Sequence, residues 1–410
     1  MLNILGVVAL RKILAIVLAA SLLIPLAAGC GGLSTSEPAQ TGPLAYELVT
    51  GYTGFEFGLF QQVVSRDYSG NVVLSPVSAK MSLAMAYNGA SDETAEAMAK
   101  ALQLEGLSPE EINKQMHDLM ASLKSADAKV QIEIANSIWA NKDVNFYDDF
   151  LGRCKEYYDA EAASVDFEDP ETVQIINGWV QEKTHGKIDK IIESLDGDLY
   201  VLLNAVYFKG EWATRFDESL TENGDFHTLS GDVKKLPMMH QSGDYEYCEN
   251  EDFQAISLPY GGGRMSMYIL LPREGKSYGE FLQGIKADQW EGWIRMFRSR
   301  EGDIALPRFK VEYEKRLDEA LKALGMDPAF IGNAFEKMAP MAPLFISRVL
   351  QKTYIDVSEE GTEAAATTYT GIARGIHEEP FAMVVDRPFF FAIRDNQTGT
   401  LLFMGSIANP

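Results

Sequence analysis

Across 410 residues the chain is 46% apolar and 23% charged, the proportions of a folded globular protein rather than a disordered or fibrous one. Its formal net charge of -23 opposes nucleic acid and anionic membrane surfaces as partners and favours solubility. Three cysteines, Cys30, Cys154 and Cys248, are too few and too odd in number for a disulfide framework.

At the N-terminus, Arg11-Lys12 precede an apolar run from Ile13 to Ala28 that is broken only by Ser21 and Pro25. The run falls short of the roughly 20 residues a membrane-spanning helix needs, and its basic flank and small-residue end predict a signal peptide over 1–29. It closes on Leu26-Ala27-Ala28-Gly29-Cys30. Small residues before a cysteine resemble the bacterial lipobox, although Ala27 stands where leucine is usual. That resemblance implies lipidation of Cys30 and a membrane anchor. Residues 30–47, rich in Gly, Ser, Thr and Pro, read as a flexible tether holding the body away from the membrane.

Residues 48–410 carry no second linker and no internal repeat, and predict one domain. Phe55–Val64 has helical spacing. Ser75-Pro76 reads as a helix N-cap and first turn, with the helix running on through Met81, Leu83, Ala84, Met85 and Tyr87. Another helix starts at Ser91, where Asp92-Glu93 suit its positive end. Val130–Ala140 alternates as a strand; Tyr147–Tyr158 and Thr172–Thr184 are helical. Leu199–Phe208 is a continuous apolar run interrupted by Asn204. Phe253–Pro259 and Met265–Leu271 flank Gly261-Gly262-Gly263 as a hairpin. Asp303–Tyr313 alternates, Arg316–Leu324 is a helix ended by Gly325, and Pro388–Ile393 and Thr400–Ile407 are strands. Cys154 and Cys248 fall inside this body and read as isolated, mostly buried thiols, with a bridge between them left open. The fold class is α+β, several helices on large, mostly antiparallel sheets.

Four blocks in order resemble the serpin family: NVVLSPVSAKMSLAMAYNGASDET (71–94), LLNAVYFKGEW (202–212), EEGTEAAATT (359–368) and DRPFFFAIRDNQTGTLLFMGSIANP (386–410). The resemblance covers roughly residues 50 to 410. It implies an exposed reactive-centre loop from about Glu359 to Arg387, whose hinge enters the central sheet as a new strand after a protease cuts it. A strand interior demands small, proline-free residues. Thr362, Ala364, Ala366 and Thr368 form one face, all small. Glu363, Ala365 and Thr367 form the other, so the one charge faces out. Gly361 reads as the pivot between Glu359 and this stretch. The usual serpin spacing from Glu359 puts the residue before the cut at Gly375, whereas counting back from Pro388 gives His377. Arg374 offers the side chain a trypsin-like pocket takes, so the favoured bond is Arg374–Gly375, with Gly375–Ile376 second and suited to an elastase- or subtilisin-like target.

The resemblance also assigns control of sheet opening to Ser75, Ser78 and Asn204, with Gln351 where histidine is usual, and places Trp212 where the hinge first enters. It implies a covalent complex with a serine-type protease, formed by a monomer without cofactor or metal. Rival readings have less support. His117, His185, His227, His240 and His377 show no HExxH spacing, and neither a G-x-S-x-G elbow nor a phosphate loop occurs, which argues against an enzyme. A non-inhibitory surface binding protein on the same scaffold is opposed by the small hinge residues. The segment 108–129 mixes both charge signs, so activation by a polyanion is not expected.

Overall fold

Apolar runs of strand length place much of this chain in two β-sheets with helices packed on them. The structure, a computed structural model, describes residues 53–340, 343–362 and 379–410, all of which fall in one unit, Pro43–Pro410. The signal segment 1–29, Cys30 and the tether 30–47 lie outside the described residues.

In chain order the strands are β1 (Val72–Leu74), β2 (Val130–Asn141), β3 (Glu161–Val165), β4 (Tyr200–Glu211), β5 (Glu222–His227), β6 (Val233–Glu249), β7 (Phe253–Tyr260) and β8 (Met265–Pro272). They continue with β9 (Arg298–Pro307), β10 (Phe309–Arg316), β11 (Arg348–Val357), β12 (Gly361–Thr362), β13 (Phe381–Val384), β14 (Phe389–Asp395) and β15 (Leu401–Ile407). The helices used below are α1 (Thr53–Val64), α2 (Pro76–Tyr87) and, following β3, α3 (Pro170–Lys183). The central sheet has the order β10-β11-β4-β2-β3, with β12 added to β4. The second sheet runs β1-β15-β14-β8-β7-β6-β9-β13, with β5 on β6. Most pairs are antiparallel; β11 with β4, β2 with β3, and β13 with β9 are parallel. This is the expected α+β arrangement.

β4 explains its own composition. Tyr200, Leu202, Val206 and Phe208 face the main core, and Val201, Leu203, Ala205 and Tyr207 face a second apolar cluster. Ile176 and Val180 of α3, and Ile188, Ile191, Ile192 and Leu195 after it, complete that second cluster. A strand covered on both faces needs a continuous apolar run rather than alternation. Each such fully buried aliphatic side chain stabilises the fold by about 1.5–3 kcal/mol. β2 alternates only over its first residues and is buried on both faces thereafter, for the same reason. Helix α2 is buried from Pro76 to Ala86 and packs against β15 of one sheet and β2 and β4 of the other. Its N-terminus therefore lies beneath the central strands.

Two sequence expectations change. The alternating stretch Asp303–Tyr313 is two strands: β9 ends at Pro307 in the second sheet, and β10 starts at Phe309 in the central one. The alternation shifts phase at Pro307-Arg308, from Ile304 and Leu306 to Phe309, Val311 and Tyr313, which marks the change of sheet. The helix expected over Arg316–Leu324 is shorter. Arg316 ends β10, regular helix covers only Asp318–Leu321, and a wider turn follows to Met326, with Gly325 at φ 96°. β5, β6 and the helices Tyr278–Gly284 and Ala287–Ile294 were not expected from the sequence. β6 is mostly exposed over its first residues, which hides its strand signal.

Candidate functional site

β11 runs parallel to β4 from Arg348 beside Val201 to Tyr354 beside Tyr207. Beyond that point β12 takes the place beside β4, antiparallel, with Gly361 opposite Glu211 and Thr362 opposite Gly210. The chain leaves β11 at Val357 and turns through Ser358, Glu359 and Glu360. Ser358 N–H donates to Gly361 O at 2.9 Å, and Gly361 N–H donates to Ser358 O at 3.1 Å. Gly361 has φ 127°, and a Cβ there would lie 2.2 Å from Gly210 O and 2.6 Å from Trp212 N. Only glycine combines that backbone angle with that approach.

Trp212 holds the turn from beneath. Its Nε1 donates to Ser358 O at 2.9 Å, its backbone N–H donates to Glu360 O at 3.0 Å, and its ring stacks on Tyr260 at 4.3 Å. Glu359 is buried, and its Oε1 accepts from Arg308 Nε at 2.7 Å, Arg308 Nη2 at 2.6 Å and Thr221 Oγ1 at 2.5 Å. Burial alone would raise this carboxyl; the bonds from Arg308 and Thr221 outweigh it and hold the group below its ordinary value.

Beneath the seam between β4 and β11 lies a row of buried amides. Asn136 of β2, Asn204 of β4 and Gln351 of β11 sit directly opposite one another. Gln351 Nε2 donates to Asn204 Oδ1 at 2.6 Å and to Ser75 O at 2.9 Å, while its Oε1 accepts from Ser75 N–H at 2.9 Å. Asn204 Nδ2 donates to Asn136 Oδ1 at 2.6 Å and to Ser78 Oγ. The structure thus brings Ser75, Ser78, Asn204 and Gln351 together. Ser75 occupies the N-cap position of α2, but its side chain caps nothing; the backbone of Ser75 carries the contact to Gln351. Asn136 was missed; like Asn204 it is an amide in the buried stretch of its strand, but Gln131 and Asn141 in β2 make it stand out less. Separating β4 from β11 breaks this row, leaving buried polar atoms to find new partners.

The serpin family profile, described as serine protease inhibitor, matches residues 50–410. This chain belongs to the serpin family. It is 38% identical to an uncharacterized serpin-like protein of Thermococcus kodakarensis over 88% of this chain and 86% of that one. It is 35% identical to the leukocyte elastase inhibitor of Bos taurus over 89% of this chain and 100% of that one. Among solved structures, the native thermophilic serpin tengpin superposes with a TM-score of 0.80 at 34% identity, covering 89% of this chain and 94% of that one. Human thyroxine-binding globulin complexed with thyroxine superposes at 0.81 with 26% identity, covering 89% and 99%.

In this serpin the remaining loop residues named from the sequence, Glu363, Ala364, Ala365, Ala366, Thr367, Thr368, Arg374, Gly375 and Ile376, lie outside the described residues. Cys154 and Cys248 are buried and unbridged, and burial pushes both thiols up to about 12, which makes them unreactive near neutral pH. Among the described residues no cluster of His, Cys, Asp or Glu is arranged to hold a metal ion.

Proposed function

We infer that this serpin is an irreversible suicide inhibitor of serine-type endopeptidases, working by insertion of its cleaved loop between β4 and β11. The observation that carries the reading is the pairing of β12 with β4. Continuing that register one residue at a time puts Glu363 opposite Lys209, Ala364 opposite Phe208, Ala366 opposite Val206 and Thr368 opposite Asn204. Directly opposed residues share a face. Ala364 and Ala366 then join Phe208 and Val206 on the core side, and Thr368 takes the place Gln351 holds beside Asn204. Glu363 takes the opposite face, next to a lysine.

The chemistry belongs to the protease. Its serine oxygen bonds to the carbonyl carbon of the reactive residue as the peptide C–N bond breaks, and the amine leaves with a proton on the segment that continues into β13. Insertion then carries the acyl group, with the protease attached, along β4. Fifteen inserted residues correspond to about 50 Å. Water is thereby denied a competent catalytic site, and the ester persists. The native fold is in this reading a kinetically held state.

The favoured bond is Arg374–Gly375 with a trypsin-like target; Gly375–Ile376 with an elastase- or subtilisin-like target is the alternative. We also assign residues 1–29 to a signal peptide, Cys30 to a lipid anchor, 30–47 to a tether and 48–410 to a monomeric inhibitory body. The thyroxine complex of a similar structure supports a second reading, a binding protein on this scaffold. Mixing the serpin with trypsin, elastase and subtilisin separates the two. An SDS-stable complex with the cut read by mass spectrometry is expected; clean cleavage without complex would sink the inhibitory reading. Replacing Cys30 by Ser should abolish partition into detergent, and unchanged partition would remove the anchor.

A further inference from the structure

Glu379 follows the stretch 363–378, and its carbonyl accepts two hydrogen bonds from one guanidinium, Arg300 Nε at 3.2 Å and Nη2 at 2.9 Å. Arg300 Nη1 donates to Glu249 Oε1 at 2.8 Å. The other oxygen of that carboxylate accepts from Arg273 Nη2 at 2.5 Å and from Tyr247 OH at 3.1 Å. The planar guanidinium is thus oriented on both edges. It also lies 5.5 Å from the centroid of the Tyr247 ring, and that ring stacks on Phe381 at 3.9 Å. Gln254 Nε2 donates to Tyr247 OH at 2.8 Å and to Ala382 O at 3.0 Å. Gly302 leaves the room for this stack, since a Cβ there would lie 2.3 Å from the Phe381 ring.

A carbonyl at an exposed loop end is readily satisfied by water. Here it is instead fixed by a side chain that a carboxylate and an aromatic ring already hold in place. We propose that Arg300, oriented by Glu249 and Tyr247, is a positioning residue for the reactive bond, pinning the distal base of the loop at Glu379 so that the same peptide bond is always presented. The proposal rests on the inhibitory reading above. A base that slips would offer neighbouring bonds to the protease. Cleavage at a wrong bond changes the length of the inserting segment, and the acyl-enzyme is then hydrolysed before it is carried away. Small errors of placement have large kinetic consequences in such a race.

The test uses the full chain and its Arg300→Gln and Arg300→Lys variants with trypsin, elastase and subtilisin. Three quantities are measured: serpin molecules consumed per protease inhibited, cut positions by mass spectrometry, and unfolding temperature before and after nicking. Arg300→Gln is expected to raise consumption about three- to tenfold and to spread the cuts over adjacent bonds, with the nicked form unfolding as in wild type. Arg300→Lys should recover part of the loss. Wild-type consumption and a single cut in Arg300→Gln overturn the proposal. So does a variant whose nicked form is equally destabilised and which Lys does not rescue, because Arg300 is then only structural. If Arg300→Gln fails to fold, Glu249→Gln provides the second test: a smaller shift in the same direction supports the proposal, and none overturns it. A wild-type chain that traps none of the three proteases overturns the inhibitory reading and this proposal with it. A trapping wild type with an indifferent Arg300→Gln overturns only the positioning role.

Discussion

On the proposed inhibitory reading, the two ends of the loop serve opposite purposes. The proximal base, Ser358 to Thr362, sits where β4 and β11 part, on a seam whose apolar packing is interrupted by a row of buried amides. The distal base, Glu379 to Val384, joins β9 in parallel register and is stacked and hydrogen-bonded into the second sheet. On the proposed reading the proximal side exchanges partners, with Thr368 taking the place of Gln351 beside Asn204. The other side is held by Arg300 and by the Tyr247–Phe381 stack.

The largest expected effect comes from Thr362→Arg. Its position opposite Gly210 falls on the core-facing parity of β4, so insertion would bury an unpaired charge at a cost of about 3–5 kcal/mol. Trapping should fall at least about a hundredfold, with nicked serpin and no SDS-stable complex on the gel. Retained trapping would break the contrast between the bases.

Gln351→Leu should follow. It orphans Asn204 Oδ1 and Ser75 N–H, each worth about 1–3 kcal/mol. The expected readout is faster amide exchange along β4 and β11, with β6 and β9 unchanged; a uniform change would mean that the seam is not a separate unit.

Gly361→Ala imposes strain of about 1–3 kcal/mol on the turn and drives a Cβ into Gly210 O. Slower complex formation and a lower unfolding temperature are expected, and a neutral result would show that the β12 pairing is dispensable.

The smallest effect is that of Glu359→Gln, about 1 kcal/mol because half-exposed Arg308 remains partly solvated. Since the folded carboxyl lies below its ordinary value of 4.5, its contribution is full above that pH. It is lost as pH falls through the lower folded value. The variant should therefore match wild type in acid and differ at neutral pH. A difference that persists at the acid limit would assign the effect to packing.

What the sequence offers about this site is local. Period two assigns Thr362, Ala364, Ala366 and Thr368 to one face as an expectation, and Gly361, read as a pivot, has φ 127°. Asn204 stands out as an amide in an apolar strand, and the continuous run of β4 declares burial on both faces. What stayed hidden is long-range pairing. Nothing near Asn136 says that it lies opposite Asn204, or that Ser75 gives its backbone rather than its hydroxyl to Gln351. Arg308 meets Glu359 and Arg300 meets Glu379 only after the sheets assemble. Side-chain period records which face a residue takes; the partner it finds there is decided by strand order, which only the tertiary structure sets.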